Sequence, residues 1–185
     1  MRGFAAIGLQ NPKSPVNIGA VLRACGCYEA SLLVTTGTRY HRTAPDTGAA
    51  YRHLPLLQVE DLHDAVPFDC VPIAVDILPD AVPLPHYHHP ERAFYIFGPE
   101  DGTLGKAVTS WCRDIVYIPT IRCLNLAMTV NTVLYDRMSK RSNSFKEAGD
   151  INDERPADSI SFVGNTPFPG TSPAIISRRN NAGRF

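Results

Sequence analysis

The sequence predicts one α/β domain built on a mostly parallel sheet flanked by helices, and three observations carry that expectation. Short apolar runs bounded by turn residues recur between Phe4 and Ile118. Two longer stretches carry helical periodicity instead. Strands and helices alternate, which is the pattern of a sheet whose strands are joined by crossovers.

Taken in order, Phe4–Leu9 reads as the first strand, because it is continuously apolar and Asn11-Pro12 interrupts it. Pro15–Cys27 reads as a helix, with Ile18, Val21, Leu22 and Cys25 at the i, i+3, i+4, i+7 spacing of a buried face. Ser31–Thr35 is the second strand, Glu60–Ala65 a short helix, Cys70–Ile77 the third strand, Ala93–Phe97 the fourth and Asp114–Ile118 the fifth. The last helix spans Leu124–Arg141 and is apolar on more than one side. Residues 79–92, PDAVPLPHYHHPER, hold four prolines and three histidines and read as a loop. From Ser142 the chain turns polar, so residues 1–141 form the expected domain and 142–185 a partly ordered tail, with Ser159–Val163 a docked strand or segment.

A length of 185 residues suits one well-cored domain. With 44% apolar and 19% charged residues the chain fits neither a disordered nor a membrane class. The N-terminus lacks the layout of a signal peptide, and the expected location is the cytoplasm. Five cysteines, an odd number without a CxxC pair, point to reduced and mostly buried thiols. Eighteen basic and eighteen acidic side chains cancel, so any nucleic-acid partner must be met by a local patch.

Three stretches carry candidate chemistry. In NPKSPVNIGAVLR (11–23), Pro15 suits a helix start, and Asn17 can cap the helix if its regular part begins just after it. Gly19, Arg23 and Gly26 follow at i, i+4 and i+7, two small residues around one guanidinium. In FYIFGPEDG (94–102) a strand runs into Gly98, Glu100 and Gly102, a turn able to expose backbone groups to a ligand at a strand's carboxyl end. In VYIPTIRCLN (116–125) a strand breaks at Pro119 and leads into the last helix, with Asn125 in its first turn. Singly, each also fits an ordinary turn or helix start.

In this order and spacing the three stretches resemble the SpoU-type RNA ribose methyltransferases of the SPOUT superfamily. Asn17, Gly19 and Arg23 meet the family's N-x-G-x-x-x-R. Gly98 and Glu100 meet part of its G-x-E-x-x-G, with Gly102 one position early unless Gly105 takes that role. Ile118, Pro119, Cys123, Leu124 and Asn125 meet its I-P and small-Leu-Asn elements, although the family commonly has serine at Cys123 and a longer loop before it. The resemblance covers roughly residues 3–141. It implies a C-terminal trefoil knot, a homodimer with the site at the subunit interface, and S-adenosylmethionine as cofactor. By the same resemblance Gly98, Gly102, Ile118, Cys123 and Leu124 would bind that cofactor, and Arg23, Asn17, Glu100 and Asn125 would form the catalytic group.

The activity so implied is methylation of a ribose 2′-hydroxyl in RNA, with tRNA favoured over rRNA because the chain resembles the compact members of the family. Such a partner needs positive charge and stacking surfaces. Residues 37–53 supply Arg39, Tyr40, His41, Arg42, Tyr51, Arg52 and His53, and Arg39, Arg42 and Arg52 are the expected RNA contacts. Arg178, Arg179 and Arg184 in the tail are further candidates for the RNA backbone. No metal is expected, since His86, His88 and His89 lack a clear fourth ligand and read as surface histidines. Two other readings compete: a non-catalytic RNA-binding or assembly protein that kept the fold, and a nucleotide-binding oxidoreductase, which lacks G-x-G-x-x-G after its first strand.

Overall fold

Alternation along the strands builds the core. In β1 (Phe4–Leu9) every residue after the first is buried, because layers cover both faces of the sheet. Ile7 and Leu9 pack with Ile18, Val21, Leu22 and Cys25 of α1 (Pro15–Cys27) and with Val130, Val133 and Leu134 of α3 (Leu126–Glu147). Ala6 points the other way, into a cluster with Phe94, Leu62 and Val108. At Gly8 a Cβ would lie 2.8 Å from Phe94 Cζ, so glycine is what admits that ring.

The structure, a computed structural model, describes residues 3–39 and 54–147, with side chains described as far as residue 141. Within them β2 (Leu32–Thr36), β3 (Leu56–Val59), β4 (Val71–Val75), β5 (Val82–Pro83), β6 (Arg92–Phe97) and β7 (Asp114–Tyr117) join β1 in one sheet. The order is β3-β2-β1-β6-β4-β7-β5, and every pairing is parallel. β1 and β6 lie side by side over six residues, Phe4 opposite Arg92 through Leu9 opposite Phe97. β2 and β3 lie to one side of that pair and β4, β7 and β5 to the other, so the connections after β1 and after β6 part there. In open α/β sheets such a reversal at the carboxyl ends of the strands is where ligands bind.

The two helices expected from periodicity are present, α1 with the expected bounds Pro15–Cys27 and α3 shifted to Leu126–Glu147 from the expected Leu124–Arg141. Ser14, not Asn17, caps α1: its Oγ accepts from Asn17 N–H at 3.4 Å, and Pro15 occupies the first turn. α3 begins at Leu126, and Asn125 just before it accepts the Ala127 N–H on Oδ1 at 2.9 Å. β3, β5 and the one-turn α2 (Lys106–Thr109) were not expected. β3 is mostly exposed at the sheet edge, and β5 is two residues inside the proline-rich segment read as loop. Neither carries an apolar run long enough to register. Arg42 and Arg52, and the segment from residue 148 onward with Ser159–Val163, Arg178, Arg179 and Arg184, lie outside the described residues. No described helix is long and apolar enough to cross a membrane.

Candidate functional site

Three loops leave the carboxyl ends of β4, β6 and β7 and enclose one open cleft. Val75, Asp76 and Ile77 contribute from the first, Phe97–Glu100 and Gly102 from the second, and Tyr117, Ile118, Thr120, Cys123 and Leu124 from the third. Leu126 and Thr129 of α3 close one side. Gly98, Gly102, Ile118, Cys123 and Leu124, the five residues expected to bind a cofactor, all line it. Gly105 does not: it precedes α2, and a Cβ there would meet nothing within 4 Å. At Gly98 a Cβ would come within 3.2 Å of Leu104 N, so glycine lets this loop fold back onto itself.

Beside the cleft a chain of hydrogen bonds joins the three motifs. Glu100 Oε2 accepts the Lys13 N–H at 2.8 Å, and Oε1 accepts the Ser14 N–H at 3.0 Å and Asn17 Nδ2 at 2.8 Å. Asn17 Oδ1 in turn accepts from Asn125 Nδ2 at 3.0 Å. A carboxylate only accepts, which fixes the Asn17 amide. The Ala127 N–H only donates, which fixes that of Asn125. Burial pushes the Glu100 carboxyl up, but the Asn17 amide and the backbone N–H groups outweigh it and hold its pKa below the ordinary value. Glu100 is therefore an ionised strap that pins the start of α1 to the loop after β6.

Arg23 stands apart. It is exposed on α1 and, among the described residues, makes no hydrogen bond or ion pair. Asn17 and Glu100 do not hold it within one chain. The expected stripe of Gly19, Arg23 and Gly26 is also divided: Gly19 is buried, whereas Gly26 is exposed with open space where a Cβ would stand. The same two helices, α1 and α3, expose large apolar side chains, with Val16 63%, Met128 58% and Tyr135 56% exposed.

Arg39 is already paired. Its two terminal nitrogens reach Asp101 Oδ1 at 3.0 Å and Oδ2 at 2.6 Å, and Lys13 Nζ lies 3.6 Å from the same Oδ2. The Arg39 guanidinium holds the Asp101 carboxyl at about 2. Arg39 thus ties the connection after β2 to the cleft loop.

Sequence reasoning missed Asp76, which the apolar run Cys70–Ile77 hid. β4 stops at Val75, and the Asp76 carboxylate accepts the Ile77 N–H on Oδ1 at 2.7 Å and the Leu104 N–H on Oδ2 at 2.6 Å. An acid ending an apolar strand was the available signal. His89 is a correction of another kind: its side chain is 1% exposed, packed between Tyr95 Oη at 2.6 Å and Asp136 Oδ2 at 2.8 Å, so it is not a surface histidine. All five cysteines are free, but Cys27 and Cys123 are exposed, against the expectation of mostly buried thiols. The described residues contain no cluster of three potential metal ligands.

The donor set indicates what the cleft would accept. Among the described residues its lining includes two acids, Asp76 and Glu100, and no Lys, Arg or His. A pyrophosphate cofactor would find no cation there. A cofactor carrying a positive sulfonium, held largely by backbone groups of turn loops, suits it.

The parallel sheet, the cleft at its carboxyl ends and the motif loops strapped around it define a SPOUT-class methyltransferase fold. Residues 5–135 match the model of the SpoU rRNA Methylase family, and the chain belongs to that family. SpoU methyltransferases use S-adenosylmethionine. A search of curated proteins gives no match. Among solved structures, the SpoU methyltransferase AviRb from Streptomyces viridochromogenes aligns with a TM-score of 0.69 at 21% identity, covering 78% of this chain and 62% of AviRb. AviRb has also been solved in complex with AdoMet. This chain thus spans under two thirds of AviRb's length. The A. aeolicus TrmH/SpoU tRNA modifying enzyme aligns with a TM-score of 0.69 at 14% identity over 80% of each chain. A structure described as giving insight into 2-OH methylation of C/U34 on tRNA aligns with a TM-score of 0.66 at 21% identity, over 76% of this chain and 98% of that one.

Proposed function

We propose that this protein transfers the methyl group of S-adenosylmethionine to a ribose 2′-hydroxyl of RNA, in the cytoplasm, with tRNA as the favoured substrate. The observation that carries the reading is the bond chain Glu100–Asn17–Asn125, which joins all three motifs beside a cleft with no cation among its described lining. The tRNA preference is supported by the relatives described as acting on tRNA, one of which the chain covers over 98% of its length. The C-terminal trefoil knot implied by the family resemblance belongs to the same reading.

Methyl transfer to a hydroxyl is an in-line displacement, so the protein must align the three reacting atoms and stabilise charge as the hydroxyl oxygen loses its proton. The cofactor supplies the methyl group on a sulfonium that leaves readily. Gly98, Gly102, Ile118, Cys123 and Leu124 would hold it through the loops that line the cleft. Arg23 would orient the target phosphate and stabilise the developing alkoxide. A guanidinium, with a pKa above about 12, stays charged and does so as a donor, not as a base. Glu100 and Asn17 are positioning residues, since their polar atoms are engaged with one another and with backbone. Asn125 shapes the pocket from the start of α3.

A second subunit completes this picture. In this reading a homodimer forms over the apolar side chains exposed on α1 and α3, and Arg23 of each subunit would serve the other chain's cleft. Arg39, Arg42 and Arg52 would meet the RNA backbone, Arg39 after exchanging Asp101 for a phosphate.

The test is methyl incorporation from labelled S-adenosylmethionine into tRNA and rRNA from cells lacking the protein, followed by nucleoside analysis. Label in a 2′-O-methylnucleoside that Arg23→Ala abolishes supports the assignment. Cofactor and RNA binding without transfer would instead identify a non-catalytic member of the fold, and label on a base would overturn the ribose assignment.

A further inference from the structure

The structure assigns Asp76 a role beyond the family motifs: we infer that its carboxylate receives the ribose hydroxyls of the nucleoside held in the cleft. This rests on the cofactor reading above. β4 lies between β6 and β7, the two strands whose following loops carry the second and third motifs. Asp76 is the first residue beyond β4, so it stands at the centre of the cleft floor, between those loops.

The cleft has two carboxylates, and they differ in what they have left to give. Glu100 has three donors on its two oxygens, two backbone N–H groups and the Asn17 amide. Asp76 has one N–H on each oxygen, from Ile77 and Leu104. A carboxylate offers about four acceptor positions, so Asp76 retains about one on each oxygen. Two acceptors a carboxylate-width apart match the spacing of a vicinal diol, which is how an acid at a strand's carboxyl end receives ribose in dinucleotide-binding sheets. The two backbone bonds orient Asp76 before any ligand arrives. The bond to Leu104 N also fixes the loop segment on which Gly98 rests, since a Cβ at Gly98 would lie 3.2 Å from that nitrogen.

The experiment is calorimetric titration of S-adenosylhomocysteine and its 2′,3′-dideoxy analogue into the full chain and into Asp76→Asn. Asp76→Asn is expected to weaken S-adenosylhomocysteine about tenfold more than it weakens the dideoxy analogue, because only the diol loses its acceptors while both ligands feel the lost backbone bond. Retained binding of the dideoxy analogue also shows the variant to be folded. If both proteins discriminate between the two ligands equally, Asp76 serves only the backbone and the assignment is overturned. Should Asp76→Asn fail to fold, the wild type still decides: equal affinity for the two ligands overturns the assignment, and a preference of about tenfold or more for the diol supports it. A wild-type chain that binds neither ligand overturns the cofactor reading and this inference with it.

Discussion

Two arginines on packed neighbouring helices have opposite fates. Arg137, on α3, is 5% exposed, and its guanidinium donates to Pro90 O at 2.6 Å, Glu91 O at 2.7 Å, Tyr95 Oη at 3.2 Å and Phe4 O at 3.3 Å. Arg23, on α1, is exposed and has no such partner among the described residues. Arg137 closes the amino ends of β1 and β6, where Phe4 and Glu91 lie, as part of a polar network in which every group is satisfied. Arg23 is exposed on α1 with its donors unused among the described residues, and the proposed activity would use them on a ligand. A guanidinium saturated by its own fold stabilises that fold, and one left unsaturated is available to a ligand.

The comparison breaks most visibly at Arg137. Removing it takes a donor from three backbone carbonyls and a tyrosine hydroxyl in a buried place, of which Glu91 O keeps the Phe4 N–H at 3.0 Å. Arg137→Ala is expected to lose about 3–5 kcal/mol of stability in urea unfolding. Arg137→Lys should recover little, because an ammonium cannot span the fork's four acceptors. A loss below about 1 kcal/mol would mean that water replaces the guanidinium and that the network is not closed.

Arg23→Ala is the mirror experiment. Stability should stay within about 0.5 kcal/mol of the parent, as for an unpaired surface side chain. Methyl transfer should fall about a hundredfold to a thousandfold, the loss typical of one charge-stabilising donor. Because Arg23 belongs to the proposed dimer surface, sedimentation at matched concentration separates loss of chemistry from loss of association. A drop in stability comparable to that of Arg137→Ala would erase the distinction between the two residues.

The open side of the molecule was far more legible in the sequence than the closed side. Motif residues sit in loops whose Gly, Pro and Asn announce turns, and strand ends are where ligands bind, so Gly98 and Gly102 could be placed at a cleft before any fold was known, while Ile118 was placed there by the family resemblance. Arg137, Asp136 and Lys140 drew no notice in the sequence, since nothing local says that a proline-rich segment will return and cover them. His89 was read as surface for the same reason: its partners are 6 and 47 residues away. Asp76 escaped because an apolar run conceals its own last residue. β3 escaped because an edge strand needs neither burial nor alternation.

The closed network also predicts a pH response that the site lacks. Burial, reinforced by Lys140 and Arg137 and opposed by Asp136, lowers the His89 pKa from 6.5 to about 4. Neutral His89 then donates from Nε2 to Asp136 and accepts the Tyr95 hydroxyl on Nδ1. Below pH 6.5 the unfolded chain takes up a proton that the folded chain refuses until about pH 4. His89 therefore contributes stability present above pH 6.5 and lost as pH falls toward 4, up to about 3 kcal/mol. Urea titrations from pH 7 to 4 on the parent and His89→Gln would measure it as the difference between two slopes. Parallel slopes would refute the claim.

The smallest effect sharpens the comparison most. Asn17 and Asn125 share one hydrogen bond at 3.0 Å, exposed and between neutral groups, so Asn125→Ala should cost about 1–2 kcal/mol, chiefly through the lost cap of α3. Asn125→Asp keeps the cap but places a carboxylate against Asn17 Oδ1, an acceptor facing an acceptor. Asn17 would then have to turn its amide, which sets its oxygen against Glu100 instead. Asn125→Asp is thus expected to unfold close to the parent's midpoint while cofactor affinity and methyl transfer decline, because the strap between the motifs is broken. If transfer survives Asn125→Asp unchanged, the chain from Glu100 to Asn125 holds the fold together and has no part in shaping the cleft. The site side would then be built on the same principle as the closed network around Arg137.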